Sequence, residues 1–300
     1  MKQKTERLRR SLAWATALKP DELRELIAGP SDCIVLDLED GIPVPLKPEA
    51  RRLTREILEN TDFRGKERIV RVNTMDSVFF PLDMEEVIGA APPDAVRVPM
   101  CERPEELLRL NAMLAQIEEA HGLARNSIEV LAMIESPLGV RNAYDIITSC
   151  HRITALSIGM EDMCREYGVR RRYEDNALDM LYLRQKLVLD SKAAGAQMHD
   201  SVLLVMGDVE ATRREAEASR QMGYTGRSVH GNEQAALANA VYSPDPAEVE
   251  ESRAMVETYE KASASGQTES ITYGGKLICY AAYVHAKDIV AMDEKIRAKG

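Results

Sequence analysis

The chain has 300 residues, of which 45% are apolar and 29% charged, with a formal net charge of −10. That length buries a sizeable core without a metal or a disulfide, and the acidic balance argues against a nucleic-acid partner. Five cysteines (33, 101, 150, 164, 279), odd in number and without framework spacing, suggest a reducing compartment; with no apolar signal core in MKQKTERLRRSLAW and no run of about 18 apolar residues, the expectation is a cytoplasmic protein with no membrane partner.

In chain order, short apolar segments recur at 11–16, 33–38, 68–73, 95–100, 129–135, 153–159, 196–204 and 226–231. They are brief, often β-branched and mostly unalternating, as strands buried on both faces are. Helical patterns lie between them, such as 104–122 and 208–223, each closed by a glycine. Eight strand–helix alternations predict an α/β fold, a (β/α)8 TIM barrel, over residues 1–239. A doubly wound sheet would want a glycine-rich turn after the first strand, and LAWATALKPDEL has none. Residues 240–300 change character: a proline-led helix (243–265), a turn-rich hairpin (266–277) and a last helix. This extension is too small for its own core and is expected to pack on the barrel or on a neighbouring subunit.

In a barrel of this kind the chemistry sits at the C-terminal strand ends. There the sequence puts Asp37, Glu39 and Asp40, then Arg71 and Asn73, then Glu135, then Glu161 and Asp162, then His199 and Asp200, and finally His230. Glu135 and Asp162 follow successive strands and could converge on one cation; two carboxylates plus water or substrate oxygens is how Mg²⁺ is usually held. Cys150, His151 and Cys164 lack zinc spacing. Each residue also has a plainer reading. Asp40 or Asp162 could cap a helix, Arg71 could be a buried ion-pair partner of Glu39, and His230 a satisfied barrel histidine. The basic cluster of Arg165 and Arg170–Arg172 reads as a solvated helix end or as a phosphate contact.

Six segments, in order and at matching spacing, carry a resemblance: VLDLEDGI (35–42), RIVRVN (68–73), VLAMIESPLGVRNAYDI (130–146), ALSIGMEDMCREYG (155–168), LYLRQKLVLDSKAAG (181–195) and GYTGRSVHGNEQ (223–234). Together with RRSLAW they resemble the citrate-lyase β-subunit-like, or HpcH/HpaI aldolase, superfamily. The resemblance implies a (β/α)8 barrel, trimeric or hexameric, whose C-terminal extension often closes a neighbour's site. It implies Glu135 and Asp162 as ligands of Mg²⁺, or of Mn²⁺ in its place. Arg71 is implied as the carbonyl- or carboxylate-binding cation, with Glu39 and Asp40 lining the site. Arg10, Asn73, Pro137 and His230 fall in the matching segments and are implied as substrate or cofactor contacts. The implied reaction cleaves or forms a C–C bond between a keto acid and an acyl-CoA, with malyl-, citramalyl- or citryl-thioesters as adducts. Alternatives are an aldolase on free keto acids, a hydrolase of malyl-type thioesters, and a non-catalytic subunit of a complex.

The chain departs from the family pattern in four places. Thr16 and Ala17 replace Pro-Gly after the first strand. Met100 replaces the lysine that usually ends the fourth, and Gly231 replaces the proline after His230. Cys279 stands where acyl-CoA lyases often carry an acid/base aspartate; a thiol has a pKa of about 8.5 and a different reach.

Overall fold

The computed structural model describes residues 4–5, 7–172, 178–204, 208–266 and 271–299. Residues up to Ala240 form one compact unit and those from Val241 a second. In the first, eight parallel strands close into a barrel in chain order: β1 Ser11–Ala15, β2 Cys33–Asp37, β3 Glu67–Arg71, β4 Ala95–Val98, β5 Glu129–Ile134, β6 Ile153–Ile158, β7 Gln197–Asp200 and β8 Gly226–Val229. Between and after them run α1 Pro20–Ala28, α2 Lys47–Asn60, the short α3 Phe80–Asp83, α4 Pro104–Ala120, α5 Pro137–Thr148, α6 Met160–Tyr167, α7 Leu181–Ala193, α8 Val209–Met222 and α9 Gly231–Val241. This is the (β/α)8 barrel that the strand–helix alternation predicts. Every strand stops short of its apolar segment at the C-terminal end. Asn73, Glu135, Gly159 and His230 therefore lie just past the last ladder positions, in the loops at the C-terminal rim.

Local signals set the helix ends. Proline occupies the first turn of α1, α2, α4 and α5, where its missing N–H costs nothing. Ser136 caps α5 by accepting from Gly139 N, and Asp208 caps α8 by accepting from Ala211 N. α6 and α8 end on Gly168 and Gly223, at φ 69° and 106°, a conformation that favours glycine.

Strand register decides which side chains fill the lumen. Arg9, ahead of β1, bridges Glu67 on β3 and Glu129 on β5 at 2.6 Å each. Arg97 on β4 reaches Ser228 Oγ on β8, across the barrel, at 3.0 Å. The face carrying these residues is therefore the interior. An apolar plug of Leu12, Cys33, Val35, Ile69, Ala95, Leu131 and Ala155 fills its middle. The Arg9 network closes the N-terminal end, and polar side chains occupy the levels above the plug.

The second unit holds α10 Pro246–Ala264, a hairpin of β9 Thr272–Tyr273 and β10 Lys276–Leu277, and α11 Tyr280–Lys299. Gly274 and Gly275 take φ 54° and 77° in the turn, as a tight hairpin of this hand requires. Residues 267–270 of the expected hairpin segment lie outside the described residues. Tyr259 and Tyr283 stack at 4.3 Å between α10 and α11, and Arg253 pairs with Asp293 at 2.9 Å. Among the described residues no helix is long and apolar enough to cross a membrane.

Candidate active site

Arg71, the last residue of β3, anchors one half of the rim. Its Nε and Nη2 donate to the two carboxylate oxygens of Asp37 at 2.7 and 2.8 Å, and its Nη1 pairs with Glu39 Oε2 at 2.5 Å. Asp37 and Arg71 are register partners on adjacent strands, so the fork is built into the ladder. The guanidinium carbon also lies 4.3 Å from the Trp14 ring centroid. A guanidinium has five N–H donors; three are spent here, leaving one hydrogen on each Nη. Although burial opposes its charge, Asp37 and Glu39 hold Arg71 above its ordinary pKa. Burial also acts on Glu39. It outweighs the pull of Arg71, aided by repulsion from Asp40, Glu135 and Asp37, and lifts the carboxyl to about 7.

The loop after β2 is held from below. Asp37 accepts the backbone N–H groups of Glu39 and Gly41, both at 3.0 Å. A Cβ at position 41 would stand 2.3 Å from Asp37 Oδ2, so glycine is what lets the chain close over the carboxylate. The Lys47 ammonium donates to the carbonyls of Leu38 and Glu39 at 2.8 Å and to Asn73 Oδ1 at 2.7 Å. Asn73 Nδ2 donates in turn to Leu38 O and to the buried Asp83. The hydrogen-bonding groups of Asn73 are thus committed to the protein. These bonds fix the loop after β2 against α2 and α3.

The other half of the rim is a pair of carboxylates. Glu135 follows β5 and is 4% exposed. Its Oε2 accepts from Met100 N at 2.8 Å, while Oε1 takes no hydrogen bond among the described residues. Asp162 stands in the first turn of α6, where the helix dipole favours a negative charge. Gly159 stands between them: a Cβ there would lie 2.0 Å from Glu135 Oε1. Burial, with the charge of Asp162 added, raises the Glu135 pKa against the opposing Met100 N–H.

Glu135 is a buried carboxylate with one open oxygen and no Lys or Arg nitrogen in ion-pair range among the described residues; with the acid Asp162 close by, it suits a cation. The donors are all oxygen, which selects a hard one. Among the described residues no three His, Cys, Asp or Glu groups surround one point. Two carboxylates completed by water or substrate is the habit of Mg²⁺, so the residues present fit that ion. Asp162 meanwhile pairs with Arg165 Nη1 at 2.7 Å.

Glu161 meets Arg171 Nη1 at 2.9 Å. Arg171 is itself buried. The basic cluster around Arg165 and Arg171 is therefore tied into local carboxylates, which favours its reading as a helix end over a phosphate contact.

Beside the Arg71 fork opens a cleft of about 450 Å³, lined by Trp14, Thr16, Lys19, Asp40, Arg71 and His230 among others. His230 is half-buried; burial lowers its pKa. Asp40 and Pro137 are exposed, the latter as the first residue of α5. The departures from the family pattern now have local causes. Thr16 Oγ1 accepts from Leu18 N at 3.2 Å, a side-chain-closed turn in place of Pro-Gly. Gly231 takes φ 74°, which proline cannot adopt. Met100, at φ 51°, serves Glu135 through its backbone N–H.

Arg10 and Cys279 are placed by the fold as follows. Arg10 precedes β1 and so belongs to the N-terminal rim, where both arms of its guanidinium hold Asp32 at 2.9 Å. That contact ties β1 to the chain ahead of β2. Cys279 belongs to the second unit, exposed, ahead of α11. Reasoning from sequence missed Asp37 as the principal partner of Arg71, Trp14 as its stacking surface, and Gly159 and the Met100 amide as the seat of Glu135.

Residues 10–231 match the family model described as HpcH/HpaI aldolase/citrate lyase. The citrate lyase subunit beta of Escherichia coli is 30% identical over 279 residues, covering 93% of this chain and 91% of that protein. A (3S)-malyl-CoA thioesterase of Cereibacter sphaeroides is 31% identical over 290 residues, covering 96% of both. Among solved structures, a citrate lyase from Burkholderia xenovorans superposes with a TM-score of 0.82 at 18% identity over 96% of this chain and 92% of that one. The CitE protein of Mycobacterium tuberculosis, solved with magnesium, acetoacetate and coenzyme A, gives 0.74 at 19% identity over 96% and 98%.

Proposed function

The chain belongs to the HpcH/HpaI aldolase/citrate lyase family, and from that premise we propose that it is a Mg²⁺-dependent C–C lyase acting on a hydroxyacyl-CoA of the malyl, citramalyl or citryl type. The observation that carries the reading is the convergence at one rim of the Arg71–Asp37–Glu39 cluster with the carboxylates Glu135 and Asp162. Glu135 and Asp162 would hold the ion, which supplies Lewis-acid polarisation and a template for the acid's oxygens.

The protein's own groups do the rest. Glu39, with a pKa of about 7, is matched to proton exchange near neutrality. As carboxylate it takes the hydroxyl proton. The C–C bond breaks, the hydroxyl carbon becomes the keto acid's carbonyl, and the electron pair leaves as the thioester enolate. The two uncommitted N–H groups of Arg71 stabilise the oxygen charge that develops. The enolate carbon then takes a proton to give the acyl-CoA, and Cys279 is the acid proposed for that step. The cleft at Trp14 and His230 receives part of the thioester substrate. The family's trimeric or hexameric assembly is proposed for this chain too, with the second unit closing a site.

A second reading is hydrolysis of the same thioester. It is favoured by the thioesterase relative, which matches as closely as the lyase subunits, and by the thiol in place of the lyases' aspartate. One experiment separates the two. Malyl-, citramalyl- and citryl-CoA are incubated with the protein and Mg²⁺, and keto acid and free CoA are followed by mass spectrometry. Keto acid without free CoA establishes the lyase, and free CoA without keto acid the hydrolase. Neither product from any ester, under conditions where the chain binds the metal, overturns both.

A further inference from the structure

Trp14 is the one tryptophan of the chain, and its ring joins three parts of the barrel. It stands on β1, half-buried, and packs against the apolar plug. The guanidinium carbons of Arg71 and Arg97 lie over the ring, at 4.3 and 4.9 Å from its centroid, both inside the ~6 Å range of a cation–π contact. Trp14 also lines the cleft beside Arg71.

The two arginines need such a neighbour. They are register partners on β3 and β4, and like charges on adjacent strands repel. Arg97, 1% exposed, registers that repulsion: burial first and then the charge of Arg71 lower its pKa to about 10, against the pull of Glu135 and Asp37. The negative face of an indole attracts both cations and offsets part of the cost of placing them side by side.

Arg71 is also held within its plane more firmly than across it. Its bonds to Asp37 and Glu39 run from Nε, Nη2 and Nη1, and the N–H groups of a guanidinium lie in its plane. Such bonds set the group's place in the plane and yield to tilting. An aromatic ring against the guanidinium face resists the tilt. Among the described residues Trp14 Nε1 donates to no protein atom, so the ring and not the indole N–H accounts for a tryptophan here.

We propose that Trp14 is a positioning residue of the site: it holds the Arg71 guanidinium against its ring beside Arg97, and so fixes the plane in which Arg71 offers its two uncommitted N–H groups. This rests on the part given to Arg71 in the proposed reaction. The first test is read without substrate, so the two can fail separately.

That test follows exchange of the Arg71 Nε hydrogen with water by nitrogen-15 NMR of the full chain, the signal being assigned by its absence in Arg71→Lys. Trp14→Leu should speed the exchange about 10-fold, and Trp14→Phe, which keeps an aromatic face, about 3-fold or less. Where the leucine variant fails to fold, Trp14→Met, which fills more of the space, takes its place. The second test uses an ester that the protein turns over. Trp14→Leu should lower kcat about 10-fold and leave KM within about twofold, because the oxygen charge that Arg71 meets develops in the transition state; Trp14→Phe should restore most of the rate. Unchanged exchange in the leucine variant overturns the proposal, whatever the protein catalyses. So does a raised KM with unchanged kcat, which makes Trp14 a wall of the cleft and no more. Faster exchange with both constants unchanged shows that Trp14 holds Arg71 while Arg71 takes no part in the chemistry, and it overturns the role given to each.

Discussion

Gly159 and Glu135 interlock. The carboxylate of Glu135 occupies the space that a side chain at position 159 would fill, with 2.0 Å between a Cβ there and Oε1. An alanine would swing the carboxylate out of its seat and break its bond to Met100 N. Gly159→Ala is therefore expected to keep the barrel and weaken Mn²⁺ binding about 10- to 100-fold, the range seen when a ligand's support is removed. Titration of Mn²⁺ followed by electron paramagnetic resonance reads the constant, and circular dichroism the fold.

Arg71 holds two buried acids at once, Asp37 in a two-pronged fork and Glu39 end-on. Removing it leaves both unpaired. Arg71→Met should cost about 3–5 kcal/mol of stability, measured by urea unfolding, and about 10²–10³-fold in kcat. Arg71→Lys should rescue little, because an ammonium cannot reproduce the fork. A lysine variant with near-normal stability and rate would count against this geometry.

The Glu39 carboxyl has a folded pKa near 7 against an ordinary value of 4.5. Between these values the folded protein binds more protons than the unfolded chain. Stability of the metal-free protein therefore falls as pH rises from about 4.5 to about 7. Glu135, shifted in the same direction, adds to the slope. Glu39→Gln should flatten the dependence without abolishing it, as read from melting temperature against pH in EDTA. An unchanged slope removes Glu39 as its source.

Cys279 is the exposed cysteine of the five, all of them free. Alkylation by iodoacetamide should mark it first and inactivate the enzyme in proportion. Cys279→Ser should resist that inactivation and lower the rate about 10²-fold, a typical acid–base contribution. Full activity after stoichiometric labelling excludes the thiol from the chemistry.

The barrel is legible in the sequence because strands buried on both faces show as short apolar runs, and eight of them closed by helices leave few alternatives. The direction of the strands was legible too, and it would have placed Arg10, one residue ahead of β1, at the far end. Asp37 was within reach: it shares the inward face of Cys33 and Val35, as Arg71 shares that of Glu67 and Ile69. Arg97 stands in the middle of an apolar strand, a charge that a fully buried run does not carry without cause. Asn73 could not be assigned in this way, since its partners Lys47 and Asp83 come from separate helices and meet it through tertiary packing alone. The same holds for the Met100 amide, whose use depends on a left-handed backbone that no residue type announces.

The central claim is that Glu135 and Asp162 form a divalent-metal site. The most direct measurement is calorimetric titration of the full chain with Mn²⁺, in the wild type, Glu135→Gln and Asp162→Asn, with folding checked by circular dichroism. One ion bound per wild-type chain, and binding lost in both folded variants, is the predicted result. Unchanged stoichiometry and affinity in the two variants would contradict it.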